Sequence, residues 1–432
     1  MAAALARHVP PGSQLVLALS GGLDSVVLLH LLLSLRTSHP FGLAAVHVHH
    51  GLSPSADGWA DFCTQLCAAH DVPLTLERVR IDQADPAGVE AAARHARHRV
   101  FDGIAADFLL TAHHQDDQAE TFLLQALRGA GPKGLAAMAE CRHQSGARAA
   151  RLRPLLGVSR TDLLAVAHAV GLDWVEDESN RDTRYRRNAL RHDILPRLGT
   201  HFPAVAATLA RAAAHQAETA ALLDELAGLD AADAIDGARL DCAALARLSL
   251  PRARNLLRYF IARQGVRLPA ARRLDEILKQ LRDARADARV CVDLDAAQIR
   301  RYRGGAYVVP THSLPPPAVW QGETQLALPG LGILSLRETT GEGVRRDALV
   351  PGRTRLDTRR GGEHLRLAPD GPMRSLKGLL QMRGVPPWAR ARVPVLRLDD
   401  AILWVADLGC NADWRAGVGE PGWAPEWRPA AV

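Results

Sequence analysis

The sequence predicts a doubly wound α/β domain with a parallel sheet, then a helical domain, then a small mixed α+β domain. Short apolar runs alternate with helical patterns over the first 200 residues, as in parallel sheets covered by helices on both faces. Residues 201–289 are rich in Ala, Leu and Arg with almost no strand pattern. A triple proline at 315–317 ends helices and strands alike and predicts a linker. The predicted domains are therefore 1–200, 201–312 and 319–432.

The elements of the first domain follow one another as strand and helix. Strands are predicted at residues 15–19, 43–48, 74–79 and 108–111, with edge strands at 151–155 and 172–175. Helices are predicted at residues 24–35, 57–70, 89–106, 116–128 and 160–170. Further along the chain, helices are predicted at 205–226 and 251–264, and residues 290–309 have a strand pattern.

The composition is that of a globular, mildly basic protein. A length of 432 residues predicts two to four domains at roughly 150 residues each. With 47% hydrophobic and 23% charged residues, the chain is neither disordered throughout, nor collagen, nor a simple coiled coil. The net charge of +6 favours a polyanionic partner only weakly. Only three of the 53 basic residues are lysines, a bias typical of a GC-rich genome.

Cysteine usage and the N-terminal residues predict a cytoplasmic protein without a membrane span. The six cysteines form no CxxC pair, which favours reduced structural thiols over disulfides or zinc. Residues 1–12 lack the apolar core of a signal peptide. The longest apolar stretch, residues 26–35, is well short of the roughly 18 residues that a spanning helix needs.

A glycine turn follows the first strand and is the sharpest local feature. Its residues are Ser20, Gly21, Gly22, Leu23, Asp24 and Ser25. Glycines let a backbone turn tightly beside a ligand, and the N–H groups that begin the next helix form an anion site. A carboxylate at position 24 would repel phosphate unless a divalent metal bridged the two. The run matches neither GxxxxGK[ST] nor GxGxxG. A purely structural turn, with Asp24 as a helix cap, is the alternative.

Polar residues also follow the second and fourth strands, where parallel sheets bind their ligands. His47 and His49 alternate onto one face, and polar lining of a nucleotide crevice is favoured over zinc because no fourth ligand is spaced to complete a zinc site. His113, Asp117 and Glu120 stand at i, i+4 and i+7, so they share a helix face if the helix begins early enough. Such a set can hold Mg²⁺, bind an ammonium group or move a proton. The alternative is a solvated first turn that complements the helix dipole.

Basic residues concentrate in two stretches. Residues 181–197 hold six arginines against two aspartates, and residues 353–397 hold 11 Lys/Arg against three acids. Both fit a phosphate-rich partner, and the first also fits an ordinary basic helix face. Trp388 in the second stretch is a candidate for base stacking, although a core position is favoured.

Together these motifs resemble one family. The glycine turn resembles the pyrophosphate-binding loop of the PP-loop (N-type) ATPases. Residues 113–121 closely resemble the His-His-x-Asp-Asp-Gln-x-Glu-Thr signature of the tRNA(Ile)-lysidine synthetases. Residues 177–188 resemble that family's Asp-x-Ser-Asn-x-Asp-x-x-Tyr-x-Arg-Asn pattern, and runs at 359–363, 377–380 and 386–390 resemble the C-terminal domain of its longer members.

The resemblance implies an ATP-dependent ligase. Such an enzyme joins free L-lysine to C2 of the wobble cytidine of the isoleucine tRNA with the anticodon CAU, through an adenylated cytidine. Pyrophosphate and AMP are released. The resemblance implies that the turn binds ATP together with His49, and that Asp24 anchors Mg²⁺. It further implies catalytic roles for His113, Asp117, Glu120 and Arg187, lysine binding by Asp117 and Glu120, and tRNA contacts by Asn188, Arg360, Lys377 and Arg390.

Three other functions are weighed against this one. A sulfur-inserting tRNA enzyme of the same superfamily would carry active-site cysteines or cluster ligands, and an amidotransferase would carry a glutaminase domain. A non-catalytic RNA-binding protein gains nothing by keeping acids at 24, 117 and 120. The oligomeric state is left open, with a homodimer as one alternative.

Overall fold

The computed structural model describes residues 1–81, 88–143, 146–178, 182–283, 285, 290–311 and 313–430. The chain divides into two compact units, Met1–Glu225 and Leu226–Val432. Each unit is described by itself below.

The first unit is built on one six-stranded sheet. Its strands are β1 (Gln14–Ala18), β2 (Gly42–His49), β3 (Leu74–Arg78), β4 (Phe108–Leu110), β5 (Cys141–Arg142) and β6 (Ala150–Leu152). Their order is β3-β2-β1-β4-β6-β5, and every pairing is parallel except that of β5 with β6. Leu15 and Leu17 of β1 are buried in one core cluster, and Val16 and Ala18 on the opposite face pack against another, as expected of a central strand covered on both faces. The predicted doubly wound parallel sheet is therefore confirmed.

Up to residue 201, the described residues form nine α-helices: five near the predicted positions 24–35, 57–70, 89–106, 116–128 and 160–170, and four short ones that the sequence does not predict. They are α1 (Ala2–His8), α2 (Leu23–Leu35), α3 (Ala56–Ala68), α4 (Val89–Gly103), α5 (Gln115–Ala126), α6 (Pro132–Leu135), α7 (Arg160–Val170), α8 (Arg186–Ala189) and α9 (Leu195–His201). A π-helical turn, Leu190–Ile194, joins α8 to α9. The long helix α10 (Val205–Ala234) begins in this unit and ends in the next.

One predicted edge strand is wrong. Residues 172–175 form no strand; instead the backbone N–H of Val175 donates to the carbonyl of Gly21 at 3.0 Å, so this segment supports the glycine turn. The antiparallel edge strand is β5, which has two residues and is too short to produce an alternating pattern.

The strand order places a ligand crevice at a defined point. The chain proceeds from β1 outward to β2 and β3, and then crosses to β4 on the other side of β1. Crevices form at the carboxyl ends of the strands where the winding direction reverses, here at β1 and β4. The glycine turn and residues 111–114 lie at these two strand ends.

The second unit begins with helices packed on an antiparallel sheet. The helices are α11 (Cys242–Arg247), α12 (Leu250–Arg263) and α13 (Ala271–Asp283), and the strands are β7 (Ile235–Asp236), β8 (Arg239–Asp241), β9 (Cys291–Asp293), β10 (Ala297–Tyr302) and β11 (Gly305–Pro310). The strand order is β7-β8-β11-β10-β9. The apolar face of α13 is buried. The short strands β7 and β8 fall inside a stretch in which the sequence shows almost no strand pattern, because a two-residue and a three-residue strand produce none.

The remainder of the unit is a mixed domain with its own core. Its helices are α14 (Leu376–Met382) and α15 (Pro387–Arg390), and its strands are β12 (Ala318–Val319), β13 (Gln325–Leu328), β14 (Gly332–Thr340), β15 (Val344–Arg345), β16 (Thr354–Thr358), β17 (His364–Leu365), β18 (Arg374–Ser375), β19 (Pro394–Leu398), β20 (Ala401–Val405), β21 (Gly409–Cys410) and β22 (Pro421–Pro429). The strands form two larger antiparallel sheets and one two-stranded pair. No helix in the described part of the chain is long and apolar enough to cross a bilayer.

Candidate functional site

The glycine turn is shaped by its own side chains and by the segment behind it. Gly21 has a φ of +85°, a conformation that favours glycine, and a Cβ at this position would stand 2.9 Å from Val175 Cγ2. Ser25 Oγ accepts a hydrogen bond from the Ser20 N–H at 3.2 Å and donates to the Gly22 carbonyl at 2.9 Å. Leu23 is buried in the main core. The turn is thus held at the start of α2, where first-turn N–H groups and the helix dipole attract anions.

Asp24 is the fifth residue of the turn, and one of its two carboxylate oxygens has no hydrogen-bond partner. Its side chain is about one-third exposed, and its Oδ2 lies 3.6 Å from His114 Nε2. Its Oδ1 is buried without a hydrogen-bond partner. A buried carboxylate oxygen without a partner suits a divalent cation.

The donor set around Asp24 fits Mg²⁺ better than a tightly caged metal. Within the described ranges, no three His, Cys, Asp or Glu side chains come together as a metal cluster. Mg²⁺ commonly takes one or two protein carboxylates and completes its shell with phosphate oxygens and water. A single carboxylate beside a phosphate-binding turn is consistent with this.

His114 joins the turn to α5. Its imidazole is 1% exposed, and Nε2 lies 3.6 Å from Asp24 and 3.5 Å from Asp117 Oδ2, while Nδ1 lies 3.4 Å from Asp116 Oδ2. Burial lowers the pKa of His114, but the carboxylates of Asp116, Asp24 and Asp117 beside its ring outweigh this and raise the pKa to about 10. His114 is therefore an imidazolium that holds three carboxylates together.

Asp117 and Glu120 lie on the first turn and a half of α5. The helix begins at Gln115, so Asp117 occupies the third helical position, and its Oδ2 accepts a hydrogen bond from the His114 backbone N–H at 3.1 Å. This is half of a capping box, in which a side chain satisfies an orphaned N–H at the helix start. Both carboxylates are buried, and Glu120 is almost fully so.

Two arginines bridge these carboxylates. Arg187 reaches Glu120 Oε2 at 2.6 Å and Asp117 Oδ1 at 2.8 Å. Arg191 reaches Glu120 Oε1 at 2.6 Å and Asp117 Oδ1 at 2.9 Å. We call these four side chains, Asp117, Glu120, Arg187 and Arg191, the carboxylate–guanidinium box.

The charges around the box keep Asp117 ionised. Burial alone would raise the pKa of Asp117, but the positive charges of His114, Arg187 and Arg191 outweigh this and lower it to about 2. Burial lowers the pKa of Arg191, but Glu120 and Asp117 reverse this, so that its pKa is raised. Asp117 and Arg191 therefore keep their charges at neutral pH.

His113 differs from its neighbour His114. It precedes α5, so it does not share a helix face with Asp117 as the spacing suggested. Its Nδ1 hydrogen-bonds with Thr111 Oγ1 at 2.9 Å. Burial lowers the pKa of His113 to about 3; Asp117 opposes the shift, whereas Arg153 and Arg187 add to it. A neutral imidazole at pH 7 favours hydrogen bonding to a developing charge over proton donation.

Two other predicted site residues stand in local networks. His49, at the end of β2, is buried, and its Nε2 lies 3.1 Å from Asp57 Oδ1, which in turn pairs with Arg78 at 3.0 Å. Asn188 donates from Nδ2 to the carbonyl of Asp182 at 3.0 Å. Asn188 thereby ties α8 to the segment before it.

The three predicted tRNA contacts in the second unit differ in their accessibility. Lys377 is exposed at the second residue of α14. Arg360 pairs with Asp357 at 2.7 Å and keeps half of its side chain exposed. Arg390 is buried, and it donates to the Val385 carbonyl at 2.8 Å and to the Tyr302 hydroxyl at 3.2 Å. This geometry favours a structural role for Arg390.

Trp388 packs in the same region as Arg390. Its ring centroid lies 5.9 Å from that of Tyr302 and 5.5 Å from that of Tyr307, and the Arg300 guanidinium stands 5.7 Å from it. The indole thus belongs to an aromatic cluster of β10, β11 and α15, where it is partly buried rather than part of the hydrophobic core.

Ion pairs neutralise part of the excess of basic residues that the sequence shows at 353–397. Arg397 is buried against Glu363 at 2.8 Å, Arg353 pairs with Asp399, and Arg366 lies near Asp413. Acids just beyond the stretch therefore neutralise part of it. In the stretch 181–197, Arg181 lies outside the described residues.

Sequence reasoning missed His114 and Arg191. His114 stands within the signature, but the i, i+4, i+7 spacing with Asp117 and Glu120 indicates His113 and not His114. Arg191 stands four residues after Arg187, and this i, i+4 spacing is a signal that both could reach the same partners.

Comparison with known proteins identifies the family. Models described as the PP-loop domain, the TilS substrate binding domain and the TilS substrate C-terminal domain match residues 2–198, 240–307 and 354–427. The tRNA(Ile)-lysidine synthase of Nitrosomonas europaea is 42% identical, covering 99% of this chain and 94% of its own. Those of Azoarcus sp. and Aromatoleum aromaticum are 44% and 43% identical, covering 99% and 98% of this chain and 94% and 99% of theirs. The glycine turn and the carboxylate pair lie in one crevice, and the similarity to these relatives extends over nearly the whole chain. This chain therefore belongs to the tRNA(Ile)-lysidine synthase family.

Proposed function

We propose that this protein ligates free lysine to the wobble cytidine of the isoleucine tRNA with the anticodon CAU, using ATP. The observation that carries the proposal is the continuity of the site. His114 contacts both Asp24 of the glycine turn and Asp117 of the carboxylate pair, so a phosphate-binding element and a cation-binding element share one crevice.

The first step is the adenylation of the cytidine. The C2 oxygen of the base attacks the α-phosphorus of ATP, the bond between the α-phosphorus and the bridging oxygen breaks, and pyrophosphate leaves. Gly21, Gly22 and the start of α2 bind the departing pyrophosphate, because N–H groups at a helix start attract anions. Asp24 would hold Mg²⁺, which when bound would offset the charge of that leaving group.

The second step is the attack of lysine. Its ammonium group first gives up one proton, because an ammonium has no free lone pair. The resulting amine forms a bond to C2 as the C2–oxygen bond to AMP breaks, and the nitrogen loses a second proton as AMP leaves. Asp117 and Glu120 bind the ammonium form and place it near the base, and a carboxylate or water accepts these protons. His113, neutral at pH 7, hydrogen-bonds to charge that develops on the base or on the adenylate.

The remaining assignments concern the tRNA. Arg360 and Lys377, both exposed, contact the tRNA backbone. Asn188 and His49 act by holding the walls of the crevice in place. We place the reaction in the cytoplasm. The homodimer remains a prediction, which a measurement of the molecular mass by analytical ultracentrifugation tests.

The test is tRNA-dependent exchange of pyrophosphate into ATP, followed by incorporation of radiolabelled lysine into tRNA. We expect exchange only with a CAU transcript, and lysine incorporation with release of one AMP per lysine. Exchange without lysine incorporation would indicate another member of the superfamily. Binding of tRNA with neither reaction would indicate a non-catalytic RNA-binding protein.

A further inference from the structure

The two carboxylates assigned to lysine are already occupied by side chains of the same chain. Each oxygen of Glu120 accepts from one guanidinium, and Asp117 Oδ1 accepts from both. The other oxygen of Asp117 accepts from the His114 backbone N–H. An arriving ammonium group therefore finds every carboxylate oxygen of the box engaged.

The charge of the box is balanced without a substrate. Two carboxylates face two guanidinium groups, so a third cation would gain little attraction and would meet two like charges at short range. Glu120 is almost fully buried, so these charges are weakly screened. Lysine gains a full ionic contact only if one guanidinium moves away.

Arg191 is the guanidinium better placed to move. It belongs to the π-helical turn Leu190–Ile194, a rare geometry that is frequent at functional sites. Its side chain is about one-quarter exposed, as is that of Arg187, and the charge of Asp24 in the glycine turn contributes to its raised pKa. An ammonium group in its place would therefore stand near the adenylated base.

We propose that Arg191 is an internal competitor for lysine, which occupies the position of the substrate ammonium and is displaced when lysine binds. This inference rests on the proposed lysine-binding role of Asp117 and Glu120. The exchange keeps the box neutral, because one cation leaves as another arrives. It also keeps weakly bound cations out of the box, since each must displace a bidentate guanidinium.

The competitor role predicts the opposite result from a positioning role. If Arg191 only holds Glu120 and Asp117 in place, its removal weakens lysine binding. If Arg191 competes with lysine, its removal raises the fraction of enzyme able to bind lysine and lowers the apparent dissociation constant. The sign of the change therefore decides between the two roles.

The test uses the full-length enzyme with Arg191→Ala, and with Arg186→Ala as the matched control because Arg186 is an exposed neighbour. Equilibrium dialysis with radiolabelled lysine is expected to show about a tenfold lower dissociation constant for Arg191→Ala and no change for the control. Millimolar guanidinium chloride is expected to compete with lysine in Arg191→Ala and not in the wild type. An unchanged or higher dissociation constant overturns the proposal, as does an increase in lysine binding on adding guanidinium.

A second variant covers the case in which Arg191→Ala does not fold. Arg191→Lys keeps the charge but loses the rigid fork in which Nε pairs with Glu120 and Nη2 with Asp117, so lysine binding is expected to tighten about twofold to threefold; unchanged or weaker binding overturns the proposal. Asp117→Asn tests the proposed lysine-binding role of Asp117 independently of the competitor role of Arg191. If Asp117→Asn leaves lysine binding unchanged, the proposed role of Asp117 is wrong, whatever Arg191 does.

Discussion

The imidazole of His114 lies 3.6 Å from the carboxylate of Asp24. This contact joins the turn after β1 to the start of α5, the two strand ends that meet where the winding of the sheet reverses. We therefore expect the proposed adenylation and lysine steps to depend on a single ionic network around the buried His114. The predictions below follow from this network and from the turn beside it.

Replacing His114 by Asn should damage both stability and adenylation. The substitution leaves three carboxylates without the imidazolium between them, and breaking a buried ion pair costs about 3–5 kcal/mol. We expect the free energy of unfolding in urea to fall by about that amount, with loss of pyrophosphate exchange. His113→Asn is the control for stability, because it removes a neutral side chain and should cost about 1 kcal/mol or less. Equal losses in the two variants would contradict the assigned charges.

The pH dependence of stability should carry the signature of His114. Its pKa is raised from 6.5 to about 10, so its contribution to the free energy of unfolding is complete below pH 6.5 and is lost as the pH rises toward 10. We expect urea unfolding to show a decline of stability between pH 7 and pH 10 in the wild type. The decline should be flatter in His114→Asn, and parallel curves would exclude His114 as its source.

Asp117 should contribute to the pH dependence of stability at acid pH, where the contribution is lost as the pH falls rather than as it rises. Its pKa is lowered from 3.8 to about 2, so its contribution is present above pH 3.8 and is lost as the pH falls toward 2. We expect Asp117→Asn to flatten the acid limb of the stability profile. An unaltered acid limb in this variant would show that other carboxylates carry it.

The two glycines of the turn should respond differently to alanine. A Cβ at Gly21 meets Val175 Cγ2 at 2.9 Å and requires a φ of +85°, whereas the nearest atom to a Cβ at Gly22 is Ser20 Oγ at 3.5 Å. We expect Gly21→Ala to lower the free energy of unfolding by about 1–3 kcal/mol. Gly22→Ala should unfold like the wild type in the same urea titration. If both variants are equally stable, Val175 does not restrict the turn.

The cysteines should differ sharply in reactivity. Burial raises the pKa of Cys63 to about 12 and that of Cys67 to about 11, and thiolates are the reactive form. Cys291 is exposed. We expect a disulfide reagent at pH 8 to label Cys291 first, as read by mass spectrometry, and Cys291→Ser to abolish the fast phase. Rapid labelling of Cys63 in the native protein would contradict the packing behind the glycine turn.

The sequence predicted the parallel sheet and the turn because their signals are local. Residues 15–18 of β1 and 43–46 of β2 are continuous apolar runs, and the glycine turn stands between a strand and a helix with its own recognisable pattern. The two-residue strands β5 and β7 leave no such pattern. Pairing in space, and not local composition, makes them strands.

The candidate site was only partly predictable for a similar reason. The acids at 117 and 120 are visible from spacing, but their partners Arg187 and Arg191 lie about 70 residues further along the chain. Burial of Arg390 and neutralisation of Arg353 by Asp399 also depend on tertiary contacts. Counting charges along the chain therefore overstated the basic surface of the C-terminal domain.

Incorporation of radiolabelled lysine into a CAU transcript by wild type and Asp117→Asn tests the central claim most directly. We expect the wild type to incorporate one lysine per tRNA, and to incorporate none when the wobble cytidine is replaced by uridine. Asp117→Asn should lower incorporation at least about 100-fold, because the buried cation site loses one of its two charges. Incorporation by Asp117→Asn at the wild-type rate would contradict the claim that this crevice binds the lysine.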